Sequence, residues 1–146
     1  MTASQPPLDL VLLVDDDDTT NYLNKRLLSE MQVAKEIMVL KNGKEAIEYL
    51  SEACNNSVVE DKKCPDLIFL DIKMPVMDGF TFLEEYQRRG LDASDHVIIM
   101  MLTSSASFYD LERIKNFKRV KKHYSKALTR HDLKEILDEF FRHRNN

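Results

Sequence analysis

The sequence predicts an α/β fold of the doubly wound kind, a parallel five-stranded sheet with helices on both faces. Short unbroken apolar runs alternate with stretches whose apolar residues recur at helical spacing. The runs are flanked by polar residues and have no inside-outside alternation, as strands covered on both faces should. Three Gly and four Pro in 146 residues are too few for a turn-rich sandwich or barrel. The length fits one domain of the usual roughly 100–200 residues.

The first run, Leu10 to Val14, opens the sheet. Leu23, Leu27 and Met31 follow at i, i+4 and i+8, the stripe of a first helix. Ile37 to Leu40 is the second strand, and Ala46, Ile47 and Leu50 after Gly43 mark the second helix. Ser51 to Lys63 then exceeds the usual connection of about 2–6 residues, so it reads as a surface excursion. Leu67 to Leu70 is the third strand, followed by Phe80, Leu83 and Tyr86 after Gly79. Val97 to Leu102 is the fourth, and Leu111 and Ile114 belong to the helix after it. The weaker run Val120 to Tyr124 is interrupted by Lys121 and Lys122, which suits an edge strand. Leu133, Ile136, Leu137, Phe140 and Phe141 form the clearest amphipathic stripe, and Thr129 with Asp132 makes a capping box at its start.

Composition excludes several classes. With 43% apolar and 32% charged residues the chain is globular and not disordered. The longest apolar run, Val97 to Leu102, is far short of the ~18 residues of a membrane span. Met1 to Pro7 is a polar lead-in without the pattern of a signal peptide. The net charge of −4 equals the run Asp15 to Asp18 alone, and such a balance gives no case for nucleic acid. Cys54 and Cys64 make no disulfide framework, so free thiols in a reducing, cytoplasmic compartment are expected.

The strands end abruptly on chemically capable residues. Val14 gives way to Asp15 and Asp16, Leu70 to Asp71, Leu102 to Thr103, and the fifth strand runs through Ser125 to Lys126. Ligands of open α/β sheets bind at the carboxyl ends of strands. With strands ordered 2-1-3-4-5, Asp15, Asp16 and Asp71 meet in one pocket, with Thr103 and Lys126 on its rim. Three carboxylates repel one another unless a cation joins them, and an all-oxygen set favours Mg²⁺. A carboxylate can also act as nucleophile toward phosphorus, with metal and lysine neutralising charge and a threonine hydroxyl donating to a phosphoryl oxygen.

The segments Leu12-Leu13-Val14-Asp15-Asp16, Leu70-Asp71-Ile72-Lys73-Met74-Pro75-Val76-Met77-Asp78-Gly79, Leu102-Thr103-Ser104 and Ser125-Lys126 resemble the receiver domain of two-component response regulators. The resemblance spans residues 8–142, between the lead-in 1–7 and a tail 143–146. It implies a flavodoxin-like (βα)5 fold with strand order 2-1-3-4-5. It also implies Asp71 as phosphoacceptor and Mg²⁺ held by Asp15, Asp16, Asp71 and the Lys73 backbone carbonyl, with Thr103 and Lys126 answering the phosphoryl group. Asp17 and Asp18 have no direct role in that pattern. The implied partners are a histidine kinase or histidine phosphotransfer protein, and a downstream protein at the fourth-helix, fifth-strand, fifth-helix face. The implied protein is a stand-alone signalling module of the cytoplasm, not an enzyme, with no membrane or nucleic-acid partner.

Two positions depart from the family. Its usual Lys-Pro, with a cis peptide, is Lys126-Ala127 here, so a trans bond is expected and a less firmly placed lysine. Its switch aromatic is replaced by His123, while strand alternation points Tyr124 to the opposite face. His131 and His143 are expected to face solvent. Lys115, Lys118, Arg119, Lys121 and Lys122 read as a solvated face, or as a surface for an acidic partner. Two other functions stand beside the receiver. Asp16-x-Asp18 (or Asp15-x-Asp17) also fits a haloacid-dehalogenase-like phosphatase, although no acidic metal motif follows Lys126 and Met74 to Gly79 has no place in it. A receiver-like binding module that no longer takes phosphate is the other.

Overall fold

A computed structural model describes residues 5–54 and 62–142. Five parallel strands, β1 (Leu8–Val14), β2 (Ala34–Leu40), β3 (Leu67–Leu70), β4 (Ile98–Thr103) and β5 (Val120–Ser125), form one sheet in the order β2-β1-β3-β4-β5. The chain reverses direction across the sheet between β1 and β3, where Val14 pairs with Leu70. The helices are α1 (Asp18–Glu30), α2 (Gly43–Ala53), α3 (Gly79–Arg88), α4 (Phe108–Ile114) and α5 (Arg130–Phe140), with a 3₁₀ turn at Leu91–Ala93 that periodicity does not announce.

Strand alternation divides the core in two. Leu10, Leu12, Val14, Ile68, Leu70, Ile99 and Met101 face α2, α3 and α4. Val11, Leu13, Leu67, Phe69, Met100 and Leu102 face α1 and α5. The central strands are thus buried on both sides, which is why they read as unbroken apolar runs. At the edge, β5 alternates between half-buried and exposed residues, as its lysines indicate. The capping box of Thr129 and Asp132 starts α5, and Ser107 with Asp110 makes a second one at α4.

Four expectations need correction. Ser51 to Ala53 belong to α2, which continues its helical hydrogen bonding to the Cys54 amide, and residues 55–61 of the expected excursion lie outside the described residues. Cys54 and Cys64 are joined in a disulfide, because α2 and the lead into β3 bring their Cα atoms to 4.8 Å. The Lys126–Ala127 peptide is cis, not trans. The backbone on either side is pinned, with the Lys126 amide donating to the Thr103 carbonyl (3.2 Å) and the Leu128 amide to Asn24 Oδ1 (2.9 Å). Finally, the inward face of α1 is shifted from the predicted stripe: Leu27 and Met31 pack half-buried against the core, but Leu23 is exposed, and Thr20, Asn21, Asn24 and Leu28 are buried. A polar inner face follows from what lies beneath it, two loops with backbone groups to satisfy. His131 is exposed as expected, and His143 lies outside the described residues.

Candidate functional site

The pocket forms at the carboxyl edge of β1 and β3. The Asp15 amide donates to the Leu40 carbonyl and the Asp71 amide to the Val14 carbonyl, each at 3.0 Å, so the sheet ladder itself sets both residues. Asp15 and Asp71 are buried and Asp16 is exposed beside them. Oxygens of the three carboxylates lie within 4.8 Å of one another. Thr103 is buried at the end of β4, and Lys126 follows β5.

Lys126 ties the acids together. Its Nζ donates to Asp71 Oδ2 (2.9 Å) and lies 2.8 Å from Asp15 Oδ2 as an ion pair without hydrogen-bond alignment. The remaining oxygens are also held: Asp71 Oδ1 accepts from the Ile72 amide (2.8 Å) and Asp15 Oδ1 from the Asp17 amide (2.9 Å). Burial pushes the Asp15 carboxyl above its ordinary range, opposed by Lys126 and the Asp17 amide and reinforced by the Asp71 charge. Burial alone would lower the Lys126 ammonium, but Asp15 and Asp71 outweigh it and hold its pKa up. Three carboxylates against one ammonium leave an excess of negative charge. An all-oxygen, anionic donor set on converging strand ends fits a hard divalent cation.

The loop after Asp71 is built for close approach. The Gly79 amide donates to the Ile72 carbonyl (2.8 Å), and a Cβ at Gly79 would run into the Asp71 carbonyl. Asp78 caps α3 by accepting from the Thr81 amide (2.8 Å). Lys73 lies on this loop with its side chain exposed.

The other two acids of the run, Asp17 and Asp18, lie outside the pocket. Asp17 is the N-cap of α1, accepting from the Thr19 amide (3.2 Å) and the Thr20 hydroxyl (2.5 Å). Asp18 turns outward to pair with Lys41. Neither therefore joins the pocket as the second acid of a D-x-D pair. His123 sits exposed on the α4 side of β5, while Tyr124 packs toward α5 and donates to Glu135 (2.8 Å). The basic run is also divided, since Lys122 pairs with Glu135 and Glu139 and Lys115 with Glu112. Asn21 and Asn24, which touch the loops of the pocket, were not found from the sequence. Their only signal was being polar beside an apolar stripe.

The family model for the response regulator receiver domain matches residues 11–138. The chemotaxis protein CheY of Halobacterium salinarum is 36% identical over 90 residues, covering 61% of this chain and 62% of that protein. The probable methanogenesis regulatory protein FilR2 of Methanothrix harundinacea is 28% identical over 132 residues, 89% of this chain and 79% of that protein. A hybrid signal transduction histidine kinase L of Dictyostelium discoideum is 29% identical over 95% of this chain, which spans only 8% of the kinase. Among solved structures, a two-component response regulator from Cytophaga hutchinsonii superposes with a TM-score of 0.77 at 27% identity, over 90% of this chain and 96% of that one. A match running from β1 into α5, on a sheet of this order with its acids at the β1–β3 edge, places the chain in the response regulator receiver domain family.

Proposed function

We propose that Asp71 accepts a phosphoryl group from a phosphohistidine and that the phosphorylated form alters partner binding. The observation that carries this reading is the Lys126 ammonium, set between Asp15 and Asp71 beside an exposed Asp16. In the transfer, the P–N bond to the donor imidazole breaks as an Asp71 carboxylate oxygen bonds to phosphorus, and the imidazole keeps the electron pair. Lys126 offsets charge on the phosphoryl oxygens, and the Thr103 hydroxyl donates to one of them. Asp15, Asp16, Asp71 and the Lys73 carbonyl would hold Mg²⁺, which supplies further charge neutralisation when bound. Residues 8–142 are the receiver in this reading. It is a signalling module of the cytoplasm whose only chemistry is its own phosphorylation and dephosphorylation. Among the described residues no helix is long and apolar enough to cross a membrane.

Receiver domains interact with histidine kinases or phosphotransfer proteins. The output surface we propose is the α4-β5-α5 face. There Phe108, Leu111 and Val120 line a groove edged by Lys121 and His123 and by the Lys115–Glu112 ion pair, fitting an apolar segment with an acidic group toward Lys121. His123 stands where rotation of its ring would change that groove.

The reading is tested by incubating the protein with acetyl phosphate with and without Mg²⁺ and mapping the adduct by mass spectrometry. A Mg²⁺-dependent adduct on Asp71, lost in Asp71→Ala, is expected. An adduct on Asp16 or Asp18 would instead support phosphatase chemistry, and no adduct would leave a phosphate-independent binding module.

A further inference from the structure

Two buried asparagines on α1 reach the two loops that carry the pocket's charges. Asn21 Nδ2 donates to the Asp15 carbonyl (2.8 Å), and Asn24 Oδ1 accepts from the Leu128 amide (2.9 Å). They are three residues apart and share one helix face. Asn24 is 1% exposed and Asn21 5%, in a row that ends in Leu28, an ordinary core residue. Packing alone would be served by leucine along this face, and a buried amide is unfavourable unless its hydrogen bonds are made. The Asn21 Oδ1 has no partner among the described residues, so its contribution is the donor aimed at Asp15.

The Lys126 loop needs a pin from outside itself. Ala127 has no ring to fix its φ. Lys126 is held on one side by its amide's bond to the Thr103 carbonyl. On the other side the nearest hydrogen bond is the one from Leu128 to Asn24, 104 residues away in sequence. The same helix thus grips the loop of Asp15 and Asp16 through Asn21 and the loop of Lys126 through Asn24.

We infer that Asn24 and Asn21 are positioning residues for the phosphoryl site, with Asn24 setting where the Lys126 ammonium stands relative to Asp15 and Asp71. This rests on the phosphoacceptor reading. Lys126 serves the phosphoryl oxygens and, in the metal-free protein, competes for the carboxylates that serve the metal, so loosening Asn24 weakens the hold on the phosphoryl group without weakening the hold on the metal.

The test compares the full chain with Asn24→Leu, Asn24→Asp and, where leucine will not pack, the smaller Asn24→Ala, using ¹⁵N NMR. Three quantities are read: Leu128 amide exchange, half-saturation by Mg²⁺ alone, and half-saturation by beryllofluoride at saturating Mg²⁺. For Asn24→Leu or Asn24→Ala, Leu128 exchange should accelerate and the beryllofluoride half-saturation rise, each by about tenfold. The Mg²⁺ half-saturation should stay at or below the wild-type value, because a displaced Lys126 competes less for Asp15 and Asp71. Asn24→Asp keeps an acceptor oxygen for the Leu128 amide, so its Leu128 exchange should lie closer to wild type than that of Asn24→Leu. Equal beryllofluoride affinity in wild type and Asn24→Leu would overturn the inference alone, as would Mg²⁺ and beryllofluoride weakening together. Wild type that takes up no beryllofluoride would overturn the phosphoacceptor reading and this inference with it.

Discussion

Val76 sits between Pro75 and Met77 with φ at +67°, in the left-handed region that branched side chains avoid. The Met77 amide donates to the Pro75 carbonyl (2.7 Å) across it, closing a three-residue turn of the strained kind with positive φ. Its side chain is 78% exposed, so no packing offsets the conformation. A left-handed L residue costs about 1–2 kcal/mol, while glycine loses about 0.5–1 kcal/mol through unfolded-chain entropy. Relief of strain outweighs that loss at a branched residue. Val76→Gly should stabilise the fold by about 1 kcal/mol and raise Tm by roughly 2–5 °C. Thermal unfolding of the two proteins checks this, and an unchanged or lower Tm would show that the loop relaxes around valine. The strain lies five residues from Asp71, on the loop that an incoming donor must meet, a common place for a fold to carry such a cost.

At the scale of elements, the disulfide joins the end of α2 to the lead into β3. The Tyr49 hydroxyl brackets the same junction, donating to the Lys63 carbonyl (2.7 Å) and accepting from its amide (3.1 Å). A bridge spanning a sequence separation of 10 is worth about 2–3 kcal/mol by loop-closure entropy. The bond lies at the amino end of β3, and Asp71 follows its carboxyl end. Reduction, or Cys54→Ser with Cys64→Ser, should therefore lower the unfolding free energy by that increment, read as a lower urea midpoint, and leave loading of Asp71 unchanged. Loading that falls together with stability would tie this end of the sheet to the pocket. Such a pairing was not legible in the sequence, since residue spacing does not determine how far apart a helix end and a strand lead will fall. What was legible follows from abrupt changes of type. Asp71 and Thr103 stand out because apolar strands stop on them, whereas Lys126 follows the interrupted fifth strand and gains its meaning from the set, which the sheet order brings together. Asn21 and Asn24 did not, because a search for apolar periodicity chooses Leu23 and Leu27 and passes over polar residues on the buried face. Asp17 looked like one more surface acid, and only the start of α1 reveals it as a cap.

For the whole molecule, the pocket sets stability against binding. Asp15, Asp16 and Asp71 crowd within 4.8 Å around a single lysine, and folding is what holds those charges together. The unfolded chain separates Asp71 from Asp15 and Asp16, so the metal-free fold carries a repulsion that a bound cation removes. Mg²⁺ that binds only the folded form adds about 2.7 kcal/mol at a hundred times its Kd, so Tm should climb with the logarithm of Mg²⁺ concentration. Asp16 is the exposed member of the cluster, so Asn can replace it without burying an unpaired group. At separations near 5 Å, even full water screening leaves about 1 kcal/mol between neighbouring carboxylates. Asp16→Asn should accordingly be about 1 kcal/mol more stable than wild type in chelator, and its Tm should not respond to Mg²⁺. The two curves are expected to cross, with the variant above at zero metal and wild type above at millimolar Mg²⁺. A variant that follows the wild-type Mg²⁺ response would remove Asp16 from the metal set. One less stable than wild type in chelator would show that Lys126 already neutralises the cluster, leaving the acids to stabilise the fold instead of straining it.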